Sequence, residues 1–229
     1  MHMRGLAFSV PFATLMMLVA RAESPGASLY PSPDQAWTKN EYVQFYFVHF
    51  NGNRALPHRR EADMRAVFDR LVSPDNLTRL RDASLSDSDK LAEIRLMLSA
   101  LGEIRAAYNI SVQVGEPLAE ELTRVQVFTL AALDDAVLLS RAAGAAPSNA
   151  WSTTLDGVVA SLGEGSIYSD QQRLELADAL SLRLRGLSPL LAEKARQRAM
   201  DAVGALAAKE SDPALRSALK RLLLALSEA

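Results

Sequence analysis

Two histidines, His49 and His58, flank a short polar connection that contains Asn51 and Asn53. A tight turn in this connection would bring two imidazoles and two side-chain amides together. Neutral imidazoles are common metal ligands, and an imidazole can also act as a general base near neutral pH. With a nearby carboxylate such as Glu61, the pattern predicts a ligand-binding site for a metal ion or a small molecule.

The same two histidines also fit a structural interpretation. His49 would end an aromatic helix and hydrogen-bond a backbone carbonyl, while His58 would help to start the next helix from solvent. A histidine pair without a third spaced ligand seldom defines a site, so the sequence favours this second interpretation. We therefore predict no bound metal, no cofactor and no catalytic residue.

An aromatic cluster precedes the first of these histidines and holds five of the twelve tyrosines and phenylalanines within nine positions. Such a cluster can line a groove for a peptide, a sugar or an apolar ligand, which makes Tyr42 and Tyr46 candidate ligand-binding residues. The same run is apolar on almost every side of a helix, however, and that pattern is typical of a central buried helix. The sequence favours a core position for the cluster, which consists of Tyr42, Phe45, Tyr46, Phe47 and Phe50.

The chain lacks the motifs of common catalytic and nucleotide-binding sites. It has no G-x-S-x-G elbow, no P-loop, no H-E-x-x-H and no glycine-rich dinucleotide turn. Because it contains no cysteine, it has no disulfide, no thiolate nucleophile and no thiolate-bound metal. Its formal net charge of −2 argues against a nucleic-acid partner, since phosphate contacts need a clustered positive field. These features predict a protein that is not an enzyme.

The first residues have the pattern of an export signal. A basic start precedes residues 6–20, which are apolar and carry no charge. This stretch is too short for a comfortable membrane span, and it ends in Ala20-Arg21-Ala22, the small-x-small pattern of a signal peptidase site. We predict that residues 1–22 are a signal peptide cleaved after Ala22. The mature protein would then lie in the periplasm or outside the cell, without membrane contact.

The rest of the chain divides into a leader and one domain. Residues 23–36 hold three prolines and little apolar periodicity, which predicts a flexible leader. The apolar spacing of residues 37–229 predicts a single all-helical domain of about eight helices. Its first helix begins with Thr38 and Glu41, which fit a capping box. The run that follows favours strand by composition, but no alternating partner strand comes after its Asn-Gly end, so a helix is preferred.

Most of the later segments show helical spacing. A stripe of apolar residues extends from Leu91 to Tyr108, and Pro117 opens a second long stripe. Between them, residues 110–115 alternate like a strand without a partner, which predicts an extended connector. The members of the second stripe are Leu118, Leu122, Val125, Thr129, Ala132 and Ala136. Four more helices are predicted over residues 149–162, 170–185, 189–208 and 213–227, the last two after the capping pairs Ser188-Pro189 and Asp212-Pro213.

The last helical segment resembles a HEAT-type repeat. Its turn is Asp212-Pro213, followed by Arg216 and a stripe of small residues and leucines that continues to Leu226. The family's turn has the same Asp-Pro pair ahead of an arginine. The resemblance covers residues 170–227 and implies a stack of helical hairpins with a concave protein-binding face. A closed helical bundle with well-capped helices would give a similar sequence, so both architectures stay open.

The predicted export signal, the missing catalytic motifs and the possible hairpin stack together favour one function. We expect an exported helical protein that binds or organises another envelope or secreted protein. The alternative is a small-molecule or metal-binding protein, or an enzyme, with its site at the His49 to His58 turn. A membrane-surface role has less support, because only residues 213–227 combine basic and bulky apolar side chains in the required way.

Overall fold

The computed structural model describes residues 30–50, 55–81, 84–142, 149–163, 167–187 and 191–228. All regular secondary structure in these ranges is helical, which confirms the all-α prediction. The helices are α1 (Lys39–Phe50), α2 (Ala62–Leu71), the one-turn α3 (Asp75–Thr78), α4 (Asp87–Gln113), α5 (Ala119–Ala142), α6 (Asn149–Ser161), α7 (Asp170–Leu187), α8 (Glu193–Lys209) and α9 (Pro213–Ser227). No helix in the described part of the chain is long and apolar enough to cross a membrane.

Local capping explains where several helices begin. At the start of α1, the Glu41 carboxylate accepts the Thr38 backbone N–H at 2.7 Å, and the Thr38 hydroxyl accepts the Asn40 N–H at 3.2 Å. At α9, the Asp212 carboxylate accepts the Leu215 N–H at 2.7 Å, and Pro213 is the first helical residue. Each cap satisfies backbone donors that the first turn of a helix leaves free. Both predicted caps are confirmed.

The prediction of an extended connector over residues 110–115 is wrong. Helix α4 continues through Gln113. It ends at Gly115, whose φ of +95° is the left-handed conformation that glycine adopts without strain. The Gly115 N–H donates to Val112 and the Glu116 N–H donates to Ser111, the hydrogen-bond pattern of a Schellman cap. The apolar residues that suggest a strand include Ile110 in the last turn of α4 and Val114 directly after the helix, and both are exposed.

The predicted start of one further helix is corrected, and two other predictions lie outside the described ranges. Helix α8 begins at Glu193, not at Pro189. The predicted Ser188-Pro189 cap lies in residues 188–190, which the structure does not describe. The predicted signal peptide, with cleavage after Ala22, also lies outside these ranges.

The last part of the predicted flexible leader, residues 30–36, packs against the domain. Tyr30 is buried, its ring lies 5.6 Å from that of Phe45, and its hydroxyl donates to the Ala55 carbonyl. The Pro33 carbonyl accepts a hydrogen bond from Arg70 Nε at 2.7 Å. A large aromatic side chain at position 30 therefore anchors a segment whose prolines predict an extended backbone.

Helix α7 packs against both α5 and α9. Arg173, near the start of α7, bonds Glu210 just before α9, and the ion pair between Asp178 and Arg221 joins later turns of the same two helices. Because the two contacts follow the same order along both helices, α7 and α9 run in the same direction. Helix α8 packs on α9 after a three-residue connection, residues 210–212, and it also contacts α6.

The core of the domain centres on the two long helices α4 and α5. They are joined by a short connection and pack against each other. Helix α1 packs on α4, and its Tyr42 ring lies 6.4 Å from the ring of Phe128 in α5. Every member of the stripe predicted after Pro117 is buried, which confirms that face of α5 as core. Burial of such a stripe is the main source of helix stability in a folded domain.

Candidate functional site

The structure describes both histidines of the predicted site but not the turn between them. His49 lies in the last turn of α1, with its ring 6.5 Å from that of Phe45 and 4.7 Å from that of Phe50. His58 is largely buried, and its Nε2 lies 3.9 Å from Glu61 Oε1. Residues 51–54, which include the candidate residues Asn51 and Asn53, lie outside the described ranges.

The chain that leads into His58 is tied to the helices behind it. The Tyr108 hydroxyl donates to the Pro57 carbonyl at 2.6 Å, and the Arg59 N–H donates to Glu121 Oε1 at 2.9 Å. Both partners come from the α4–α5 pair. In the described ranges, no group of three histidine, aspartate or glutamate side chains is close enough to hold a metal ion. The contacts of Pro57 and Arg59 fix the backbone on either side of His58, whose side chain is largely buried and does not lie in solvent as the structural interpretation predicts.

The candidate residue Tyr42 belongs to the core. Its side chain is fully buried, its hydroxyl donates to the Leu71 carbonyl at 2.6 Å, and it accepts from Asn76 Nδ2 at 2.9 Å. Burial raises the pKa of this phenol well above its ordinary value, against smaller opposing effects of Asn76 and Arg70. A side chain with its polar atom satisfied inside the protein is not available to a ligand.

Asn76 connects this tyrosine to the rest of the N-terminal region. The side chain is only 2% exposed, and its Oδ1 accepts the Trp37 backbone N–H at 2.8 Å. Its Nδ2 donates to the Arg70 carbonyl at 2.6 Å as well as to Tyr42. A buried amide with both ends satisfied fixes α1, α2 and α3 relative to one another.

The remaining aromatic residues of α1 are less buried than the sequence predicts. Tyr46 and Phe47 are half-buried, and Phe50 is 41% exposed. The ring of Tyr46 lies 4.5 Å from that of Phe50, so these rings pack on each other at the end of the helix. The prediction of a central buried helix is therefore right for Tyr42 and Phe45 and wrong for this outer end. Tyr46 stays a candidate binding residue by position.

Within the described residues, a cleft lies between α3, α5 and α7, and sequence reasoning did not find it. Its volume is about 380 Å³, within the range of roughly 300–1,000 Å³ typical of binding pockets. Its apolar lining comes from α5 and from the chain around α3. These residues are Val72, Pro74, Leu77, Val127, Phe128 and Ala131. We call this site the α3–α5–α7 cleft.

Charged side chains surround the apolar lining of the α3–α5–α7 cleft. Arg183 Nη1 lies 3.0 Å from Asp134 Oδ2, and Arg124 Nη2 lies 3.2 Å from Glu120 Oε1. The carboxylate groups of the lining come from Asp75, Asp135 and Glu175. An apolar surface with a polar rim is the arrangement that recognises a partner through burial and orients it through charge.

A second depression of about 390 Å³ lies at the start of α7 and has a structural explanation. The buried Arg173 donates from Nε to the Leu162 carbonyl at 3.0 Å, from Nη1 to Asp170 at 2.9 Å and from Nη2 to Glu210 at 2.6 Å. Each guanidinium nitrogen has a partner within the protein. This arginine therefore joins the ends of α6, α7 and α8 and is not a ligand site.

The Glu210 carboxylate is the partner of Arg173 in this contact, which we call the Arg173–Glu210 clasp. Its Oε1 accepts the Asp212 N–H at 3.0 Å, and this backbone bond, with the Arg173 guanidinium, holds the pKa of Glu210 below its usual range although burial opposes the shift. The Glu210 carbonyl also accepts from Arg216 Nε at 2.8 Å. The arginine that contributes to the HEAT-like pattern thus closes the α8–α9 connection.

Comparison of the chain with known protein families, with curated proteins and with solved structures gives no match. The fold and the geometry of the α3–α5–α7 cleft therefore carry the functional argument.

Proposed function

We propose that this chain is an exported helical protein that binds a segment of another envelope or secreted protein in the α3–α5–α7 cleft. The observation that carries the proposal is the cleft, which is lined by both apolar and charged side chains. Exposed apolar concavities of this kind are the usual places where proteins bind partners or ligands.

The surface beside the cleft favours a macromolecular partner over a small molecule. Tyr168, just before α7, interacts with Gln126 of α5, and Arg183, further along α7, pairs with Asp134, further along α5. The two helices therefore run in the same direction, and the surface around the Arg183–Asp134 pair belongs to both. Two exposed leucines lie beside this pair in the sequence: Leu138, one turn after Asp134, and Leu182, directly before Arg183, with exposed fractions of 53% and 72%.

The order of the helices supports the scaffold part of the proposal. Helix α7 packs against both α5 and α9 and runs in the same direction as α9, while α8 and α9 form a hairpin. Repeated hairpins of this kind present a continuous surface to partner proteins. We therefore propose a HEAT-like stack of hairpins for residues 170–227 in preference to a closed bundle. A third exposed leucine, Leu224 on α9, extends the apolar surface across that stack.

Site-specific photocrosslinking tests the partner-binding proposal. A photoreactive amino acid at Thr78, an exposed residue that lines the cleft, should give one reproducible adduct when the protein is produced in its own cells. The matched control places the same group at Lys194, which is exposed on α8 and does not line the cleft. Equal adducts from both positions, or none from Thr78, would contradict the proposal.

The export part of the proposal rests on the sequence of residues 1–22 and has its own test. N-terminal sequencing of the protein purified from envelope and extracellular fractions should begin at Glu23. Recovery of the uncleaved chain in the cytoplasm would remove the export proposal. It would leave the binding role of the cleft untouched.

A further inference from the structure

We infer that the occupant of the α3–α5–α7 cleft is a cationic amphipathic segment, in which lysine or arginine side chains alternate with a strip of apolar side chains. The inference rests on the proposed function and adds the chemistry of the partner. It comes from two observations: the apolar lining of the cleft and the sign of the charges left for a partner.

The basic side chains of the lining are already neutralised by the protein. Arg183 is paired with Asp134 at 3.0 Å, and Arg124 is paired with Glu120 at 3.2 Å. A partner carboxylate would have to displace one of these intramolecular partners. The two arginines therefore offer little to an acidic ligand.

Carboxylate groups are the charges that remain for a partner. Glu175 is exposed on α7 and makes no ion pair within the described part of the chain. Asp75 on α3 is 74% exposed and has only a distant contact, 3.7 Å, with Arg70. These two carboxylates line the cleft from α3 and from α7, together with the apolar Phe128 and Ala131 of α5. Basic groups on both sides of an apolar strip match that arrangement.

The lining of the cleft is long enough to contact a segment of several partner residues, not only one side chain. The lining of α5 extends from Arg124 to Asp135, and the exposed Leu138 lies one turn further. Leu182 lies next to Arg183, the last lining residue of α7. An amphipathic helix laid in a groove uses apolar anchors at this spacing.

The test uses three synthetic helical peptides of about 18 residues, long enough for five turns. The first has leucines on one face and lysines on the other. The second replaces the lysines with glutamates, and the third replaces the leucines with serines. Binding to the purified exported protein is measured by calorimetry at low and high salt, because screening weakens an ionic contribution. Only the leucine–lysine peptide should bind, and added salt should weaken its binding.

Variants of the protein locate the binding. Glu175→Lys should weaken binding of the leucine–lysine peptide about tenfold. Glu116→Lys makes the same charge change at an exposed residue outside the cleft and should leave the binding unchanged. Ala131→Trp fills the apolar lining and should abolish binding. Its control is Ala208→Trp, at an exposed alanine of α8. Circular dichroism and thermal unfolding of each variant verify that the fold is retained.

The outcomes separate this inference from the proposed function. If the leucine–glutamate peptide binds as well, or Glu175→Lys has no effect while Ala131→Trp abolishes binding, the cleft binds a partner but the charge inference is wrong. If no peptide binds, the inference is wrong, and the Thr78 crosslink decides the proposed function independently. Self-association of the protein that Ala131→Trp removes would identify a second copy as the occupant and would also overturn the inference.

Discussion

The N-terminal region, residues 30–81 with the part of α4 that covers it, is held together differently from the C-terminal region, α7 to α9. In the first, buried side chains hydrogen-bond distant backbone: Tyr42 bonds Leu71, and Tyr108 bonds Pro57. In the second, regular helices with local caps are joined by ion pairs, of which the Arg173–Glu210 clasp is buried and the Asp178–Arg221 pair is exposed. The first region therefore depends on neutral buried groups, and the second depends on a charged pair.

This difference predicts opposite responses to pH. Burial raises the pKa of the Tyr42 and Tyr108 phenols, so ionisation above pH 10 opposes folding of the N-terminal region. Hydrogen bonds lower the pKa of Glu210, so protonation in acid opposes folding of the C-terminal region. Tyr168, which lies before α7, has its pKa raised to about 12 by burial and adds to the alkaline effect.

The largest expected effect is on the clasp. Arg173→Ala should reduce the free energy of unfolding by about 3–4 kcal/mol, because it leaves the buried Glu210 carboxylate without its charged partner. Arg198→Ala is the control, since its ion pair with Asp156 is exposed and should contribute less than about 1 kcal/mol. Urea unfolding at pH 7 measures both variants. Equal effects of the two would show that the clasp is not the main ionic contact of the C-terminal region.

The second prediction concerns the buried amide of the N-terminal region. Asn76→Ala should reduce the free energy of unfolding by about 2–3 kcal/mol, because the Trp37 N–H and the Tyr42 hydroxyl each lose a buried partner. Asn40→Ala, an exposed asparagine at the start of α1, should change stability by less than about 0.5 kcal/mol. The same urea unfolding measures both. A neutral effect of Asn76→Ala would contradict the role of this hydrogen-bond network.

The third prediction tests the acid side of the comparison. Glu210→Gln should cost about 1.5 kcal/mol at pH 7, since a hydrogen bond to a charged group is replaced by one to a neutral group. The folded-state pKa is lower than the ordinary value of 4.5, so this stability is present above that value and is lost as the pH falls through the folded pKa. Unfolding measured from pH 7 down to pH 3 should show the two proteins converging. A constant difference at all pH values would contradict the assignment.

The smallest expected effect is on the alkaline side. Tyr108→Phe should cost about 1 kcal/mol at pH 8, where it removes the hydrogen bond to Pro57. Because the folded-state pKa is raised, the neutral phenol contributes fully below pH 10, and stability falls as the pH rises above that value. The wild-type protein should therefore lose stability faster than the variant above pH 10, by at most about 1.4 kcal/mol per pH unit. If the free energy of unfolding falls equally with pH in the two proteins, ionisation of Tyr108 does not contribute to the loss of stability.

The two regions also differ in how far their sequence predicts them. Asp212 and Pro213 act within one helical turn, so the start of α9 follows from adjacent residues. Asn76 acts on Trp37, 39 residues away, and no local pattern shows that an asparagine will be buried. The end of α4 was missed because the alternation up to Val114 resembles a strand, whereas the left-handed Gly115 is the feature that ends the helix.

The α3–α5–α7 cleft could not be predicted for a related reason. Val127, Phe128 and Ala131 are apolar residues of a long apolar helix, and they lie next to the buried stripe of α5. Only the packing of α3 and α7 beside them makes them the lining of a cleft, in which Val127 and Ala131 are half-buried and Phe128 is 4% exposed. The charges of the rim come from three helices that are distant in the sequence, so no spacing rule joins Asp75 to Glu175.

Hydrogen–deuterium exchange of the exported protein, with and without the leucine–lysine peptide, tests the central claim most directly. Binding in the α3–α5–α7 cleft should slow amide exchange in α3, in α5 between Arg124 and Asp135, and in α7. Exchange in α8, which contributes no residue to the cleft, should stay unchanged. Protection confined to α8, or no protection at saturating peptide, would contradict the claim that this cleft is the binding site.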